Sequence, residues 1–476
     1  MPDTVPQRRA GAPAPSLSVV IPTFRDAPSL ELTLRSLTRQ TLPAERFEVI
    51  VVRDGGPEGA EDYAGVADHG KGLNLRIIDL PDRRGRSGAR NEGIRHATAD
   101  TILFLDSDSY ACSGLLERHV AFHAASTTSR VLIGRRNELG RRHLDAVLGG
   151  GPVTPSAELR ADDGGDLRFT NGMPIGDEWL GAMWMFAYGH NVSVPRETVT
   201  AVGGFDESFG ARWGWEDLEF FYRVDRELGP QKRAFRYDAE ALVYHLPHYR
   251  NMYQNIQEYT GNREVILAKY RNIDWEFVGL VDPIHSAEIL ARYRDSIADC
   301  LSRQACRIAP AWRWLGDRLS GVRTLWIGTG TGDVDLGDDA LTFDYGVPAG
   351  GRNYHLVGIE PPIEPGSLDA VVSVDFWRYL YWQELCTFLT TSARLGAEIY
   401  LVGTDTKLSA GPPPGPEEVR YLARALRHSF TVTVLRTEQP NGPWALHLRH
   451  HSADDSVPGT TSTDVEPAPP TADAPR

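Results

Sequence analysis

The N-terminal part of the chain alternates short apolar runs with segments of helical spacing. Leu30, Leu34 and Leu37 share one helical face, and residues 86–97 also follow a helical pattern. Each apolar run is closed by proline or by turn-forming residues, which is typical of a buried strand. The runs are LSVVIP (17–22), FEVIVV (47–52), residues 75–80 and TILFL (101–105). Strands and helices in this order predict an α/β fold with a mostly parallel sheet.

Acidic residues follow two of these predicted strands. Asp54 comes after the second strand, and Asp106 and Asp108 come directly after the fourth. Ligands of parallel sheets bind at the carboxyl ends of the strands. Two carboxylates two residues apart can face one hard cation, Mg²⁺ or Mn²⁺, which would carry the charge that develops on a departing diphosphate. A solvated acidic turn is the alternative interpretation of the D-x-D pattern.

A second acidic segment lies at residues 203–219, GGFDESFGARWGWEDLE. Glu216 and Asp217 follow a Trp/Gly turn and open a helical pattern. One carboxylate of such a pair can accept a proton, and the proximity of the other can raise its pKa. Trp213 or Trp215 offers an apolar face to a sugar ring. The alternative is that these acids only stabilise the positive end of the helix dipole.

Histidines supply further candidates. His245 follows an apolar run, and its imidazole could complete a metal shell with Asp108; His248 is a weaker candidate. The segment that holds His190 and Asn191 could line a ligand pocket or simply pack as a strand. A lone histidine is more often structural than a ligand, so both interpretations of His245 stay open.

Residues from about 17 to 250 resemble family 2 glycosyltransferases of the GT-A fold. The matching pieces, in the family's order, are LSVVIPTFRD, QTLPAERFEVIVVRDGG, GRSGARNEGIRHA and TILFLDSDS. The resemblance implies a nucleotide-binding set placed around the nucleobase, ribose and diphosphate, with Asp108 on the metal. That set is Thr23, Asp54, Arg86, Arg90, Asn91 and Asp106. One position departs from the family: Arg53 stands where the first member of an acidic pair is common.

The acidic pair itself resembles that of metal-dependent transferases of galactose and N-acetylgalactosamine. The resemblance implies that Asp217 is the catalytic base and that Glu216 contacts the acceptor or the donor sugar. It leads us to expect a nucleotide-sugar donor, a UDP-sugar of N-acetylhexosamine, galactose or glucuronic acid, with Mn²⁺ or Mg²⁺ as cofactor and inversion at the sugar. The stretch with His190 and Asn191 also resembles the family, which implies that it lines the donor-sugar pocket. The acceptor stays open among a saccharide, a natural product and a peptide.

The C-terminal half contains a second α/β pattern. The segment LWIGTGTG (325–332) ends on a glycine loop, Asp344 closes the next strand, and SLDAVVSVDFWRYL follows. These pieces resemble class I methyltransferases that use S-adenosylmethionine, although Trp326 stands where that family usually has an acid. We expect a degenerate methyltransferase-like domain. Two alternatives remain: a bifunctional enzyme that also methylates, and a non-catalytic carbohydrate-binding scaffold.

Length and composition set the domain plan. The expected fold class is a GT-A α/β domain at 17–250 and a smaller Rossmann-like α/β domain at 321–451, joined by a helical connector at 251–320. Residues 1–16 are expected to be a disordered leader and 452–476 a disordered tail. A net charge of −14 without a basic stripe argues against nucleic-acid partners.

Two further features bear on where the chain works. The four cysteines, Cys112, Cys300, Cys306 and Cys386, are scattered, so a reducing compartment is expected rather than a disulfide framework. No apolar run approaches the length of a membrane span, and a cytoplasmic enzyme is expected. The oligomeric state is left open.

Overall fold

The structure is a computed structural model of the whole chain, and two units are distinguished within it. The described residues are 14–56, 59–125, 130–140, 144–149, 166, 177–229, 234–249, 251–279, 283–404, 406–412, 414–438 and 442–451. The tail expected at 452–476 and nearly all of the leader expected at 1–16 lie outside them.

The first unit comprises residues 1–270 and 277–292, and the second comprises 271–276 and 293–476. The stretch 251–320, expected to be a connector, is therefore divided between the two units. Each unit holds a β-sheet with helices, so the α/β class expected from the sequence is confirmed.

The first unit contains an eight-stranded sheet among the described residues. Its strands are β1 (Leu17–Thr23), β2 (Phe47–Arg53), β3 (Leu75–Asp79), β4 (Thr101–Leu105), β5 (Ser109–Ala111), β6 (Val131–Glu138), β7 (Asn191–Pro195) and β8 (Phe235–His245). Their order across the sheet is β3-β2-β1-β4-β7-β6-β8-β5. Every residue of β1, β2 and β4 is buried, which explains why these strands are continuous apolar runs instead of alternating ones.

The expectation of a mostly parallel sheet holds for one half of this sheet only. β3, β2, β1 and β4 are parallel, as the strand–helix alternation predicts. β7 runs antiparallel to both β4 and β6, and β5 runs antiparallel to β8, so the other half is mixed. Apolar runs identify strands but do not encode the direction in which distant strands pair, so the four strands expected from the sequence are parallel and the added strands make the rest of the sheet mixed.

Helices cover the sheet through apolar stripes. The helices of the first unit are α1 (Ala27–Leu37), α2 (Gly85–His96), α3 (Leu115–Ala125), α4 (Leu144–Leu148), α5 (Arg196–Ala201), α6 (Glu216–Leu228) and α7 (Met252–Lys269). Leu30, Leu34 and Leu37 of α1 are buried in one cluster with residues of β1 and β2. Each buried leucine contributes about 1.5–3 kcal/mol, so the stripe predicted from spacing holds α1 on the sheet.

Strand pairing brings the acidic turns of the first unit to one edge. β1 pairs with β2 on one side, where Thr23 lies opposite Arg53, and with β4 on the other side. The acidic turns that follow β2 and β4 therefore lie on either side of the end of β1. The chain then turns into β5, where Ser109 lies opposite His245 of β8. The N–H of Leu246 donates to the carbonyl oxygen of Asp108 at 2.8 Å, which fixes the two segments side by side.

The second unit is built on a six-stranded sheet among its described residues. Its strands are β9 (Thr324–Gly328), β10 (Leu341–Asp344), β11 (Ala370–Val374), β12 (Glu398–Gly403), β13 (Phe430–Arg436) and β14 (Trp444–His450). The order is β10-β9-β11-β12-β14-β13, with the first four strands parallel and β14 antiparallel to both of its neighbours. The glycine loop follows β9, in the middle of the parallel part.

Helices of the second unit complete its core. They are α8 (Ile273–Glu276), the C-terminal part of α9 (Pro283–Ser302), α10 (Ile308–Leu315), α11 (Trp382–Arg394) and α12 (Pro416–Leu426). Trp326 is fully buried in a cluster that includes residues of α10. The thiols of Cys300 and Cys306 are buried with their sulfurs 2.9 Å apart, a proximity that their spacing in sequence does not reveal.

Among the helices that the structure describes, we find none with the length and apolar character that crossing a bilayer requires.

Candidate active site

A single buried arginine joins the two acidic segments. Arg90 lies on α2 and is 2% exposed. Its Nη2 is 3.1 Å from Oδ1 of Asp106, and its Nη1 is 3.2 Å from Oε1 of Glu216. A buried guanidinium requires paired anions, and both are present. A side chain at Gly189 would clash with the guanidinium, because an added Cβ would lie 2.6 Å from Nη2. Arg90 thus connects residues that lie more than a hundred positions apart.

The acidic pair sits at the first turn of α6. Trp215 precedes the helix with a φ of 78°, which turns the chain sharply into Glu216 and Asp217. Asp217 accepts hydrogen bonds from the backbone N–H groups of Gly189 at 3.2 Å and Leu218 at 2.8 Å. Burial and the neighbouring charge of Glu216 raise the pKa of Asp217 to about 6. A carboxylate with this pKa is a competent general base near neutral pH.

Glu216 faces Arg90 with one oxygen only. Its Oε1 accepts from the guanidinium, while its buried Oε2 has no hydrogen-bond partner among the described residues. A buried carboxylate oxygen without a partner is costly, so a substrate hydroxyl at this position would be favoured.

Asp108, His245 and His248 form a cluster that we call the metal group. Their ligand atoms lie within 4.8 Å of one another. Oδ2 of Asp108 is 3.2 Å from Nε2 of His245 and 3.2 Å from Nδ1 of His248. Burial opposes ionisation of Asp108, but its contacts with the two imidazoles lower its pKa below the usual range. The structure therefore brings Asp108 and His245 together as expected, and it adds His248, the weaker candidate.

Glu138 is a neighbour of the metal group that the sequence did not reveal. It ends β6 and lies in register with His245 of β8. Its Oε2 is 2.7 Å from Nδ1 of His245, and its other oxygen pairs with Arg136. Burial opposes ionisation of Glu138, but these two partners hold its pKa at about 2. No pattern in the sequence marks this residue, because its role depends on the pairing of two distant strands.

Asp54 caps the helix that carries Arg90. Its Oδ1 accepts from the N–H of Arg84 at 2.6 Å, and its Oδ2 accepts from the N–H of Gly85 at 2.9 Å. An added Cβ at Gly85 would lie 1.8 Å from the carbonyl oxygen of Gly210, so only glycine allows this close approach at a φ of 75°. Both oxygens of Asp54 are thus engaged with the start of α2.

The other residues at this edge lie near the strand ends. Thr23 ends β1, and its hydroxyl is 2.8 Å from the hydroxyl of Tyr63. Arg53, which replaces the first acid of the common pair, donates to Asp79 at 2.6 Å. Arg86 is exposed on the first turn of α2, where a phosphate could reach it.

Two asparagines among the predicted site residues form hydrogen bonds with backbone groups of the protein itself. Asn91 accepts from the N–H of Phe205 at 2.8 Å and donates to its carbonyl and to Glu207. Asn191 is fully buried, where its amide nitrogen donates to two backbone carbonyls and its oxygen lies 3.0 Å from Nε2 of His119. In this conformation both side chains position the loops and strands around the site.

The aromatic candidates differ in exposure. Trp215 is buried, its ring packs on Tyr259 with centroids 4.6 Å apart, and its indole N–H donates to a backbone carbonyl. Trp213 is half-buried, and its backbone N–H donates to Glu258. His190 is buried beside the Gly189 backbone. Of the two tryptophans, Trp213 has the more accessible ring.

In the second unit, the glycine loop is bound by the acid at the end of the neighbouring strand. Asp344 is fully buried and accepts from the N–H groups of Gly330 at 3.1 Å, Thr331 at 2.6 Å and Gly346 at 2.7 Å. The hydroxyl of Thr331 also donates to it. The carboxylate expected to bind a ribose is therefore engaged by the loop itself.

The fold and these acidic strand ends define the first unit as a GT-A-like α/β domain. Residues 18–148 match the model of the family Glycosyl transferase family 2.

Individual proteins resemble a longer part of the chain. Validoxylamine A glucosyltransferase of Streptomyces hygroscopicus subsp. jinggangensis is 30% identical over 280 residues, which cover 54% of this chain and 62% of that protein. The uncharacterized glycosyltransferase YfnE of Bacillus subtilis is 26% identical over 287 residues, 54% of this chain and 71% of that protein. The crystal structure of S. aureus TarS 1-349 with UDP-GlcNAc aligns at 16% identity and a TM-score of 0.39, covering 63% of this chain and 79% of that chain. The chain thus spans about three fifths of the length of the first of these relatives.

Proposed function

We propose that the chain is a metal-dependent glycosyltransferase that moves a sugar from a UDP-sugar to an acceptor nucleophile, with inversion at the anomeric carbon. The observation that supports this most strongly is the double pairing of Arg90. It ties Asp106, next to the metal group, to Glu216, next to Asp217. Stabilising a leaving diphosphate and accepting the acceptor's proton are both needed around one anomeric carbon, and Arg90 links the sequence neighbours of the residues suited to each, Asp108 and Asp217.

The donor atoms of the metal group fit a divalent cation. Oδ1 of Asp108 is buried and has no hydrogen-bond partner among the described residues, and Oδ2 is shared by two imidazoles. Asp108, His245 and His248 would hold the ion. When bound, a divalent ion supplies positive charge that stabilises the diphosphate as it leaves.

Asp217 would act as the base. Its carboxylate takes the proton of the acceptor hydroxyl while the acceptor oxygen forms a bond to the anomeric carbon. The bond from that carbon to the diphosphate oxygen breaks, and its electron pair stays on the diphosphate. A pKa of about 6 leaves Asp217 mostly ionised at neutral pH and still basic enough to accept the proton. Glu216, through its unpartnered Oε2, would orient a hydroxyl of the acceptor or the donor sugar.

The chemical class of the substrates follows from the family and from the relatives. The family 2 resemblance supports a UDP-sugar donor, and likeness to a validoxylamine A glucosyltransferase adds glucose to the candidate sugars N-acetylhexosamine, galactose and glucuronic acid. The same likeness favours a small polyhydroxylated natural product among the acceptor classes left open by the sequence.

The test is a transfer assay with the purified full chain, Mn²⁺ and a panel of UDP-sugars. Release of UDP is measured alone and with saccharide or aminocyclitol acceptors, and NMR of the product gives the anomeric configuration. Asp217→Asn is expected to retain UDP binding and to lose transfer, whereas Asp100→Asn, an exposed control, is expected to behave as the wild type. Normal turnover by Asp217→Asn would exclude the base role. Absence of UDP-sugar binding and turnover in the wild type would favour the non-catalytic scaffold.

For the second unit we propose a structural role in place of methyl transfer. Asp344, the carboxylate that would bind the ribose of S-adenosylmethionine, accepts three hydrogen bonds from the glycine loop and one from Gly346. A ribose could bind Asp344 only by displacing them, which leaves buried N–H groups without partners. Calorimetric titration with S-adenosylmethionine is expected to show no binding, and a saturable heat would support the bifunctional alternative.

A further inference from the structure

The composition of the metal group bears on which ion it takes. Asp108 is the only carboxylate among its three members, and the other two are imidazoles. Mg²⁺ prefers oxygen ligands and keeps several waters, whereas imidazole suits transition metals. Two imidazoles with one carboxylate thus differ from a set built of aspartates alone.

The positions of the two imidazoles are determined by different parts of the backbone. His245 ends β8 opposite Ser109, so strand pairing places it beside Asp108. His248 follows three residues later, and its ring centroid lies 5.1 Å from that of His245. Both rings direct one nitrogen to the same oxygen of Asp108, at 3.2 Å each. Three donors thus converge, and Oδ1 of Asp108 lies buried beside them without a partner in the described part of the chain.

Glu138 determines which nitrogen of His245 is available. Its Oε2 lies 2.7 Å from Nδ1 of His245, so when Nε2 binds a metal ion the proton of the ring would lie on Nδ1 and be donated to Glu138. Nε2 is the nitrogen that faces Asp108. A carboxylate behind a ligating histidine commonly fixes its tautomer and ring orientation in metal sites.

We propose that His248 is a metal ligand together with Asp108 and His245, that this two-histidine, one-carboxylate set selects Mn²⁺ or a similar transition ion over Mg²⁺, and that Glu138 is the positioning residue of His245. The inference rests on the proposed metal-dependent transfer and deepens it by naming the ion and the residues that choose it.

The experiment measures metal binding without turnover. The full chain is freed of metal with a chelator and titrated with Mn²⁺, whose free ion is followed by electron paramagnetic resonance. Mg²⁺ affinity is obtained by competition. Asp108→Asn tests whether bound Mn²⁺ is in the metal group, and circular dichroism confirms that each variant is folded.

His248→Ala and His248→Gln are expected to weaken Mn²⁺ binding by at least about tenfold. Even the loss of a residue that only supports a metal ligand costs about 10–100-fold in affinity. Mg²⁺ affinity should change little, because Mg²⁺ gains little from imidazole, so the preference for Mn²⁺ should shrink. Equal affinity of the wild type and both His248 variants for Mn²⁺ would overturn the ligand role. Equal loss of Mn²⁺ and Mg²⁺ affinity would overturn the selectivity.

Glu138→Ala is expected to weaken Mn²⁺ binding about 10–100-fold, with partial recovery in Glu138→Gln, which keeps a hydrogen-bond acceptor. The second unit offers a matched control: Glu398 lies 2.7 Å from Nε2 of His447, and Glu398→Ala should leave Mn²⁺ affinity unchanged. An unchanged affinity in Glu138→Ala would overturn its positioning role.

Failure of the proposed metal dependence and failure of the ligand assignment give different results. If the wild type binds no Mn²⁺, or if Asp108→Asn binds it as well as the wild type, the metal part of the proposed function is wrong, and this inference is wrong with it. If Asp108→Asn loses Mn²⁺ while the His248 and Glu138 variants do not, only the present inference is overturned.

Discussion

Replacing Asp217 by asparagine is expected to stabilise the protein near pH 8 while abolishing transfer. Burial and the charge of Glu216 raise the pKa of Asp217 from 3.8 to about 6. Between these pH values the native state binds more protons than the unfolded chain, so stability decreases as pH rises through this window. Above about pH 6 the cost reaches its full value of about 3 kcal/mol. Asparagine has no charge to bury and avoids this cost.

The gain is reduced by a lost hydrogen bond. Asp217 accepts from the N–H groups of Gly189 and Leu218, and an asparagine can accept with only one side of its amide. Losing one acceptor at this partly buried position costs about 1 kcal/mol, which leaves a net gain of about 1–2 kcal/mol near pH 8. For a unit of this size 1 kcal/mol shifts Tm by about 2 °C, so the gain corresponds to a rise in Tm of about 2–4 °C.

The assay is thermal unfolding of both proteins at about pH 5 and about pH 8, at one ionic strength and without nucleotide or metal. The variant should unfold at a higher temperature at the higher pH and show little advantage at the lower one. Asp100→Asn serves as a control, because the Asp100 side chain is fully exposed and should give no pH-dependent difference. A Tm difference that is equal at both pH values, or a less stable variant at pH 8, would refute the reasoning.

Three further predictions concern the residues around Asp217. Glu216→Gln removes the negative charge that helps to raise the pKa of Asp217, so the acidic limb of the kcat/KM profile, expected near pH 6, should move to lower pH; an unmoved limb would mean that Asp217 is not the titrating base. Arg90→Met should reduce the free energy of unfolding in urea by about 3–5 kcal/mol, because it leaves the carboxylates of Asp106 and Glu216 without their buried cation, and a loss below 1 kcal/mol would contradict this pairing. Asn91→Ala should cost about 1–3 kcal/mol in the same measurement while leaving the affinity for UDP nearly unchanged; a selective loss of UDP affinity would instead support its expected role in nucleotide binding.

Arg90 and the metal group depend on one acidic turn. Arg90 pairs with Asp106, and Asp108 of the metal group lies two residues further along the chain, so both interactions depend on the position of the acidic turn after β4. A variant at Arg90 is therefore expected to change metal affinity through the position of this turn, whereas the side-chain hydrogen bonds of Asn91 go to Phe205 and Glu207.

Several elements were predictable because they depend on neighbours in sequence. Three of the four strands in the parallel half of the first sheet, β1, β2 and β4, are buried apolar runs, and α1 shows its buried face at every third or fourth residue. The acidic turn after β4 was predictable for the same reason, since a strand end is visible where an apolar run stops. His245 was also predictable as the last residue of such a run, and the structure places it 3.2 Å from Asp108.

Other features depend on contacts between segments that are distant in sequence, and no local pattern indicates them. Glu138 reaches His245 only because β6 and β8 pair in one register. Asn91 and Asn191 match motif positions, yet their side chains bind backbone groups that tertiary folding brings to them. The mixed half of the sheet belongs to the same class, because strand direction is chosen by the path of the intervening chain.

The amino-acid sequence alone therefore determined the α/β class, the strand ends and the acidic turns, since periodicity and chain order express local burial. The tertiary structure alone decided which carboxylates share Arg90, which histidines converge on Asp108 and how far burial raises the pKa of Asp217. The physical reason is that hydrogen bonding, desolvation and charge pairing act over a few ångströms in space, and only the folded chain brings residues a hundred positions apart within that distance.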